Sequence, residues 1–281
     1  NTAVQIGKTK NQLAAEKKTP SFLQALQSQV AHHLVYANIQ SKLGGKLRFA
    51  ISGGAPLEPK IAEFFSACGI SILEGYGLTE TTGSVAMAVG EDFVRNRGSA
   101  GRVLNLVDMK VVDPDGNALS TGEAGEIVVR GAMVMQGYWN NEEATEEVLA
   151  EDGWLNTGDV GYVDEEGYVF IVDRKKDMVI SGGENIYCAE VERVMSEMPE
   201  VTECAAFGIP DDRLGELLVS IAVADKIDER AIIDTVGEKL ARYKAPGKVI
   251  FSDQPLPRNA VGKVDKVKLR ADWSAMAGEN A

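Results

Sequence analysis

The chain has 281 residues, 44% of them hydrophobic and 25% charged, so it is long enough to bury a core in one large domain or two. Its net charge of −13 argues against a nucleic-acid-binding protein, because such proteins neutralise phosphates with Lys and Arg. No apolar run approaches the roughly 20 residues of a membrane span. The three cysteines, Cys68, Cys188 and Cys204, have neither metal-ligand spacing nor a disulfide framework, which indicates a reducing, cytoplasmic location.

The first 50 residues are the basic part of the chain: seven Lys or Arg less one Glu leave a charge of +6. Residues 1–18 are polar without a clear period, so no element is predicted there. Thr19 and Pro20 are residue types typical of an N-cap and a first helical position. Apolar residues spaced by four, from Phe22 to Leu34, then predict one helix from about residue 20 to about 42.

A βαβ unit is predicted next. Residues 46–51 have the pattern of a buried strand, 57–68 that of an amphipathic helix, and 70–73 that of a second strand. Short links between these elements favour a parallel sheet.

The pattern changes near residue 100, where β-branched runs at 107–112, 126–129 and 168–172 are separated by turn signals. They predict a small antiparallel sheet or barrel, with a Glu-rich helix over 140–152. The charged residues 173–177 mark a domain boundary. An α+β domain follows, with helices near 188–198 and 229–242, strands near 202–208, 217–224 and 248–252, and a final Pro/Gly/Lys-rich loop over 255–268.

Two glycine-rich turns are predicted to meet at one end of the sheet. Gly53, Gly54 and Ala55 follow the first strand, and the segment EGYGLTETTG (74–83) follows the second. Open α/β sheets bind ligands at the carboxyl ends of their strands. In the second segment a tyrosine ring can stack on a base, and a carboxylate beside hydroxyls can hold Mg²⁺ against a phosphate. The alternative for either turn is a purely structural one.

Four further sites have residues that can bind a ligand, and each also has a purely structural interpretation. Asp159 can accept hydrogen bonds from ribose hydroxyls or form an Asx turn. Arg174 can bind ribose or phosphate oxygens or form a surface ion pair. Lys263, which follows Gly262, can neutralise a carboxylate and a phosphate or lie in a solvated tail. The segment 181–185 can be a bend at which a ligand or another chain approaches the backbone, or a plain loop.

Taken together and in order, these motifs resemble the adenylate-forming superfamily of acyl-CoA synthetases, firefly-type luciferases and peptide-synthetase adenylation domains. The resemblance runs from about Lys46 to Lys268. It is carried by ISGGAPL (51–57), EGYGLTETTG (74–83), GEIVVRG (125–131), GYW (137–139), DGWLNTGDVGYVDEEGY (152–168), DRKKDMVISGGENIYCAEVE (173–192) and LPRNAVGKVDK (256–266). ISGGENIYCAEVE and the terminal PRNAVGK look most like fatty-acid–CoA ligases.

The resemblance implies an α/β plus α+β architecture. Residues 1–172 would be the C-terminal part of a large adenylation domain, with a βαβ part over about 1–95 and a small β-barrel-like subdomain over about 96–172. Residues 173–177 would be a hinge, and 178–281 a smaller mobile α+β domain. The implied reaction converts a fatty acid and ATP into an acyl-adenylate, from which coenzyme A displaces AMP.

The resemblance also implies roles for individual residues. Lys263, Thr79 and Glu80 would be catalytic, with Glu80 the Mg²⁺ ligand, Lys176 the hinge residue, and Gly182, Gly183 and Glu184 facing the coenzyme A thiol. The nucleotide-binding residues would be Gly53, Gly54, Ala55, Glu74, Gly75, Tyr76, Gly77, Thr79, Asp159, Arg174 and Lys263.

The sequence departs from the family at two places. No Ser/Thr/Gly-rich phosphate loop is found in residues 1–50, so we expect the chain to be the C-terminal part of a longer synthetase with little activity alone. Cys188 stands where the family usually has proline, and we expect only a backbone effect there. Two alternative functions remain: loading of a carrier protein, and a non-catalytic remnant that binds AMP. A luciferase is disfavoured. Peripheral contact with the inner membrane face is compatible with the sequence.

Overall fold

The computed structural model describes residues 2–15, 18–54, 57, 59–89, 96, 98–259 and 262–278. The chain divides into two compact units. Unit 1 comprises Asn1–Thr157 and Gly161–Ile171, and unit 2 comprises Gly158–Val160 and Val172–Ala281. Among the described residues, no helix is long and apolar enough to cross a membrane.

The first part of the chain is helical, followed by a four-stranded sheet in the order β1-β2-β3-β4. A second four-stranded sheet, in the order β5-β6-β7-β8, follows it. The elements up to β8 are α1 (Thr2–Ala15), α2 (Phe22–Ala31), a π-helical turn (His32–Tyr36), α3 (Ala37–Lys42), β1 (Phe49–Gly53), α4 (Pro59–Ala67), β2 (Ser71–Gly77), a 3₁₀ turn (Thr79–Thr81), β3 (Ser84–Ala88), β4 (Arg102–Val103), β5 (Asp108–Val112), β6 (Gly125–Arg130), α5 (Glu142–Val148), β7 (Leu155–Val163) and β8 (Val169–Arg174).

The helical start differs from the prediction in two respects. Residues 2–15 form α1, which was not predicted because its few apolar side chains show no period; Ala3 and Ile6 nevertheless pack against a buried cluster. The N-cap of α2 is Ser21, not Thr19, since the Ser21 hydroxyl accepts from the Gln24 N–H and the Gln24 side chain accepts from the Ser21 N–H. The single predicted helix is interrupted by the π-helical turn over 32–36.

The predicted βαβ unit is confirmed, because β1 and β2 pair in parallel with Gly53 opposite Gly75. Both strands end later than predicted: β1 runs to Gly53 and β2 to Gly77. The prediction of a buried first strand is wrong. Phe49 is 43% exposed and Ile51 is 61% exposed, because both side chains lie on the exposed face of a strand whose burial alternates from residue to residue. Strand β1 is also an edge strand, with β2 as its one neighbour in the described sheet.

The predicted β-rich region is an open sheet in the described residues, not a closed barrel. Strands β5 and β6 pair antiparallel, as predicted, and β6 contributes Ile127 and Val129 to a fully buried cluster. Strand β7 (Leu155–Val163) was missed because its sequence, LNTGDVGYV, reads as a turn around Thr157 and Gly158. The Thr157 hydroxyl donates to the Ile127 carbonyl at 2.6 Å, which holds this strand beside β6.

Unit 2 is built on a five-stranded sheet in the order β10-β9-β12-β11, with β13 paired to β12. Side chains alternate along β12: Leu218 and Ala222 enter one buried cluster, and Val219 enters another on the opposite face. Its elements after β8 are a 3₁₀ turn (Lys175–Asp177), β9 (Val179–Ser181), β10 (Glu184–Ile186), α6 (Cys188–Ser196), β11 (Val201–Asp211), β12 (Gly215–Ala224), α7 (Glu229–Lys239), a 3₁₀ turn (Arg242–Lys244), β13 (Lys248–Phe251) and α8 (Lys266–Gly278).

Two elements of unit 2 correct the sequence analysis. The segment 181–185 is not a plain loop but the tip of a β9–β10 hairpin, which needs positive φ at Gly182 and Gly183. The predicted terminal loop over 255–268 ends early, because α8 begins at Lys266. Leu269 and Trp273 of this helix are buried against the sheet, so tertiary packing stabilises a helix of weak amphipathic pattern.

Candidate functional site

The two glycine-rich segments meet in one open cavity of about 490 Å³ in unit 1. Its floor is formed where β1 and β2 end side by side, because Gly53 and Gly75 are register partners. The lining residues are Gly53, Gly54, Gly75, Gly77, Leu78, Thr79, Thr82, Gly83 and Ser84. Glycine here leaves backbone groups accessible to a ligand. Ala55, a predicted member of this site, lies outside the described residues.

We call residues 78–83 the motif turn. The predicted loop over this motif is shorter than expected, since Gly75, Tyr76 and Gly77 belong to strand β2. Thr81 is fully buried, and its hydroxyl accepts from the Leu78 N–H at 2.9 Å and lies 2.8 Å from the Gly83 carbonyl oxygen. A side chain at Gly77 would meet the Gly83 carbonyl oxygen at 2.0 Å. The turn is therefore closed by Thr81 and by a glycine that lets two backbone segments touch.

Strand geometry separates the predicted nucleotide-binding residues of β2. Gly75 and Gly77 line the cavity, whereas the Tyr76 side chain packs against the buried cluster around Val85 and Ala86. Alternation along a strand points neighbouring side chains to opposite faces. Stacking of Tyr76 on adenine thus stays a prediction. Glu74 accepts a hydrogen bond from the Leu57 N–H at 3.0 Å, and burial raises its pKa against the opposing effect of that bond.

Glu80 is held by residues from a distant segment. The Tyr138 hydroxyl donates to Glu80 Oε1 at 2.9 Å, and the Met135 N–H donates to the Glu80 carbonyl at 2.7 Å. Burial raises the pKa of Tyr138, and the Glu80 hydrogen bond and charge add to the rise, so the phenol remains a donor. GYW (137–139) is one of the motifs that carry the family resemblance, but no role for Tyr138 is predicted from the sequence.

The residues around Glu80 fit Mg²⁺ only together with a phosphate. Among the described residues, no group of three or more acidic, His or Cys side chains is placed to hold a metal ion. Mg²⁺ is commonly bound through one or two carboxylates with substrate phosphates supplying further oxygens. Glu80 on the motif turn, beside the hydroxyl-bearing Thr79 and Thr82 of the cavity wall, matches that pattern.

Asp159 and Arg174 form an ion pair in unit 2. Arg174 Nε lies 2.9 Å from Asp159 Oδ1, and the Asp159 side chain is 6% exposed against 46% for Arg174. Asp159 lies in strand β7 and not in an Asx turn. A carboxylate that accepts and a guanidinium that donates, fixed side by side, can together hold vicinal hydroxyl groups such as those of a ribose.

The predicted hinge residue, Lys176, is exposed on the 3₁₀ turn that follows β8. The next residue in this turn is tied to its surroundings, because the Cys188 thiol donates to the Asp177 carbonyl at 3.0 Å and Arg270 lies 3.4 Å from the Asp177 carboxylate. Cys188 thus has a partner, contrary to the expectation of a backbone effect only. Burial raises the pKa of its thiol to about 12, so it is a hydrogen-bond donor and not a nucleophile at neutral pH.

Lys263 is exposed, and two hydrogen bonds join its backbone to Asn259. The Asn259 side chain accepts from the Lys263 N–H at 3.0 Å, and the Lys263 carbonyl accepts from the Asn259 N–H at 2.8 Å. Gly262 has a φ of +81°, which a side chain would strain. Three residues later, Lys266 pairs with Glu192 at 2.8 Å, so α8 starts from a fixed point on α6. Gly182, Gly183 and Glu184 are exposed at the hairpin tip of the same unit.

Comparison with known proteins gives consistent matches along the chain. The family model of the AMP-binding enzymes matches residues 14–139, and that of the AMP-binding enzyme C-terminal domain matches residues 190–263. The chain is 44% identical over 230 residues to the long-chain-fatty-acid–CoA ligase FadD13 of Mycobacterium tuberculosis (strain ATCC 25618 / H37Rv), an alignment covering 81% of this chain and 45% of that protein. It is 42% identical over 227 residues to the feruloyl-CoA synthase of an Amycolatopsis species, covering 80% of this chain and 46% of the relative.

A solved structure agrees with these matches. ATP-bound MatB from Rhodopseudomonas palustris superimposes with a TM-score of 0.72 at 40% identity, covering 79% of this chain and 45% of that chain. The chain therefore spans about half the length of the relatives that it matches.

Proposed function

The chain belongs to the adenylate-forming AMP-binding enzymes of the acyl-CoA synthetase type, and on that premise we propose that the whole protein is an ATP-dependent acid–thiol ligase. In the first half-reaction, a carboxylate oxygen bonds to the α-phosphorus of ATP, and the bond to pyrophosphate breaks. In the second, the thiol sulfur of coenzyme A bonds to the acyl carbon. AMP then leaves with its oxygen, and the thiol proton is released.

Both units contribute residues to this proposal. In unit 1, the glycine-lined cavity would receive the nucleotide and the acyl carbonyl, with Thr79 donating to phosphate. Mg²⁺, held by Glu80 and the phosphates, would supply positive charge where negative charge accumulates. In unit 2, Asp159 and Arg174 would hold the ribose hydroxyls, and Lys263 would contact the carboxylate and phosphate during adenylation.

The domain assignment and the motion belong to the same proposal. Residues 1–172 would be part of the adenylation domain, 173–177 the hinge with Lys176 at its centre, and 178–281 the mobile domain. Rotation at the hinge would withdraw Lys263 and bring Gly182, Gly183 and Glu184 to the thiol, since lids and domains commonly complete a site for one step at a time.

For the acid, we propose a fatty acid. The support is the sequence similarity to FadD13, although the feruloyl-CoA synthase, which is named for an aromatic acid, is nearly as similar. Thioester formation by the whole protein with hexadecanoate and with ferulate separates the two, and a preference for ferulate contradicts the fatty-acid assignment. We further propose a cytoplasmic location, which the three free cysteines support.

The observation that carries the proposed function is the Asp159–Arg174 pair, with its nearly buried carboxylate and half-exposed guanidinium. Isothermal titration of the chain with a non-hydrolysable acyl-sulfamoyl-adenosine tests it. We expect Asp159→Ala to weaken binding by about tenfold to a hundredfold, because a hydrogen bond to a charged group is worth about 1.5–3 kcal/mol.

The matched control is Asp108→Ala, which removes the carboxylate of another Asp–Arg pair with the same 2.9 Å separation, 62% exposed and paired with Arg130. This variant should bind like the wild type. Equal binding by Asp159→Ala and Asp108→Ala, or absence of binding by the wild-type chain, contradicts the proposal that this chain holds the ribose-binding half of the site.

A further inference from the structure

The motif turn is joined to a segment more than 50 residues away in the sequence. We call residues 133–139 the strap. It contacts the turn through three hydrogen bonds: Met135 N–H to the Glu80 carbonyl at 2.7 Å, the Thr82 hydroxyl to the Met133 carbonyl at 2.8 Å, and the Tyr138 hydroxyl to Glu80 Oε1 at 2.9 Å. The first fixes the backbone of the turn, and the second fixes the Thr82 side chain. The third reaches the carboxylate itself.

The strap is itself fixed at both ends. Met133, Val134 and Met135 pack against the buried cluster around Ile127 and Val129. At the other end, the Tyr138 N–H donates to the Thr145 hydroxyl at 2.9 Å, and that hydroxyl donates to the carbonyl of the α5 N-cap residue at 2.8 Å. A chain of contacts therefore runs from the start of α5 to the Glu80 carboxylate.

Close packing limits movement of Tyr138. Gly137, directly before it, has a φ of +153°, and a side chain there would meet Thr145 at 3.0 Å. The backbone of Tyr138 can therefore lie against α5 only because residue 137 is glycine. The Tyr138 residue is 38% exposed, so its hydroxyl reaches Glu80 from the surface and not from within the core.

From this geometry we propose that Tyr138 is a positioning residue, which holds the Glu80 carboxylate in the orientation required to share Mg²⁺ with the nucleotide phosphates. The inference rests on the proposed function. Partners that orient a metal ligand in this way commonly contribute 10- to 100-fold to metal affinity.

A metal titration of the chain tests this role. Binding of Mn²⁺, followed by electron paramagnetic resonance, is measured with α,β-methylene-ATP at saturation, and the affinity for the nucleotide alone is measured without metal. We expect Tyr138→Phe to weaken Mn²⁺ binding by about tenfold and to leave the metal-free nucleotide affinity unchanged. In the Glu80→Gln background, Tyr138→Phe should have no further effect, because its partner carboxylate is gone.

The matched control is Tyr162→Phe, a tyrosine of the same unit whose ring stacks on Phe170 with centroids 4.8 Å apart. It should bind Mn²⁺ like the wild type. If Tyr138→Phe binds Mn²⁺ with wild-type affinity, the inference is overturned and the proposed function is not. The same holds if the variant loses as much affinity for the metal-free nucleotide as for Mn²⁺, because that result would show a merely structural role. If the wild-type chain binds no nucleotide, the inference fails together with the proposal that this chain holds the ribose-binding half of the site.

Discussion

The two units differ in how completely they bury their apolar residues. Of the large hydrophobic residues that are exposed in the described chain, sixteen lie in unit 1 and four in unit 2. Eleven of the sixteen fall between Phe22 and Phe64, and eight of these lie on α2, the edge strand β1 and α4. Unit 2 covers both faces of its sheet, with α6 and α7 on one face and α8 on the other.

This difference indicates where the stability of the chain comes from. Apolar surface that stays in water contributes nothing to folding, so unit 2 should be the more stable of the two. The candidate functional residues also differ between the two units in how well their surroundings are buried. Asp159 and Lys266 are anchored in a well-covered unit, whereas the cavity around Gly53 and Gly75 lies beside the exposed edge of a sheet.

The largest effect is expected from Phe207→Ala in unit 2. Phe207 is fully buried, and its ring meets Trp273 edge-to-face with centroids 5.8 Å apart. Truncating it should cost about 3–5 kcal/mol and reverse the order of stability. Calorimetry, with the fluorescence of Trp273 reporting on unit 2, should show one transition moving to lower temperature. Phe251→Ala, at a residue 40% exposed, is the control. Equal shifts of all transitions would mean that the units do not unfold separately.

An intermediate effect is expected at the motif turn of unit 1, where Gly77→Ala should cost about 1–3 kcal/mol and distort the cavity. The added methyl would meet the Gly83 carbonyl oxygen at 2.0 Å. Gly83→Ala is the matched control, because a methyl at that position meets nothing within 4 Å. The transition of unit 1 measures the stability, and titration with the acyl-adenylate analogue measures the site. Similar behaviour of the two variants would contradict the close contact of residues 77 and 83.

The smallest effect on stability is expected from Phe22→Asp on α2. Phe22 is 86% exposed, so the free energy of unfolding should change by no more than about 0.5 kcal/mol. Self-association, measured by sedimentation velocity, should nevertheless decrease, since exposed apolar patches promote association. Ala31→Asp on the same helix is the contrast, because Ala31 is 5% exposed and a buried carboxylate there should destabilise unit 1. A large loss of stability in Phe22→Asp would mean that this side chain is buried after all.

Prediction from the sequence succeeded where a signal is local. The spacing of apolar residues and the short links around Gly53 and Gly75 were enough to place two parallel strands side by side, and the structure confirms their pairing. Prediction was wrong where packing overrides local pattern. The helix α8 has almost no amphipathic pattern, yet Leu269 and Trp273 hold it against the sheet.

The amino-acid sequence by itself determined the family, the βαβ unit and the identity of the candidate residues, because these depend on residue types at short spacing. Only the tertiary structure decided which partners those residues have. Tyr138 meets Glu80 across 58 positions, and the Cys188 thiol meets the Asp177 carbonyl across 11. Such contacts depend on how separate elements pack, since hydrogen bonds between distant segments leave no periodic trace in the chain.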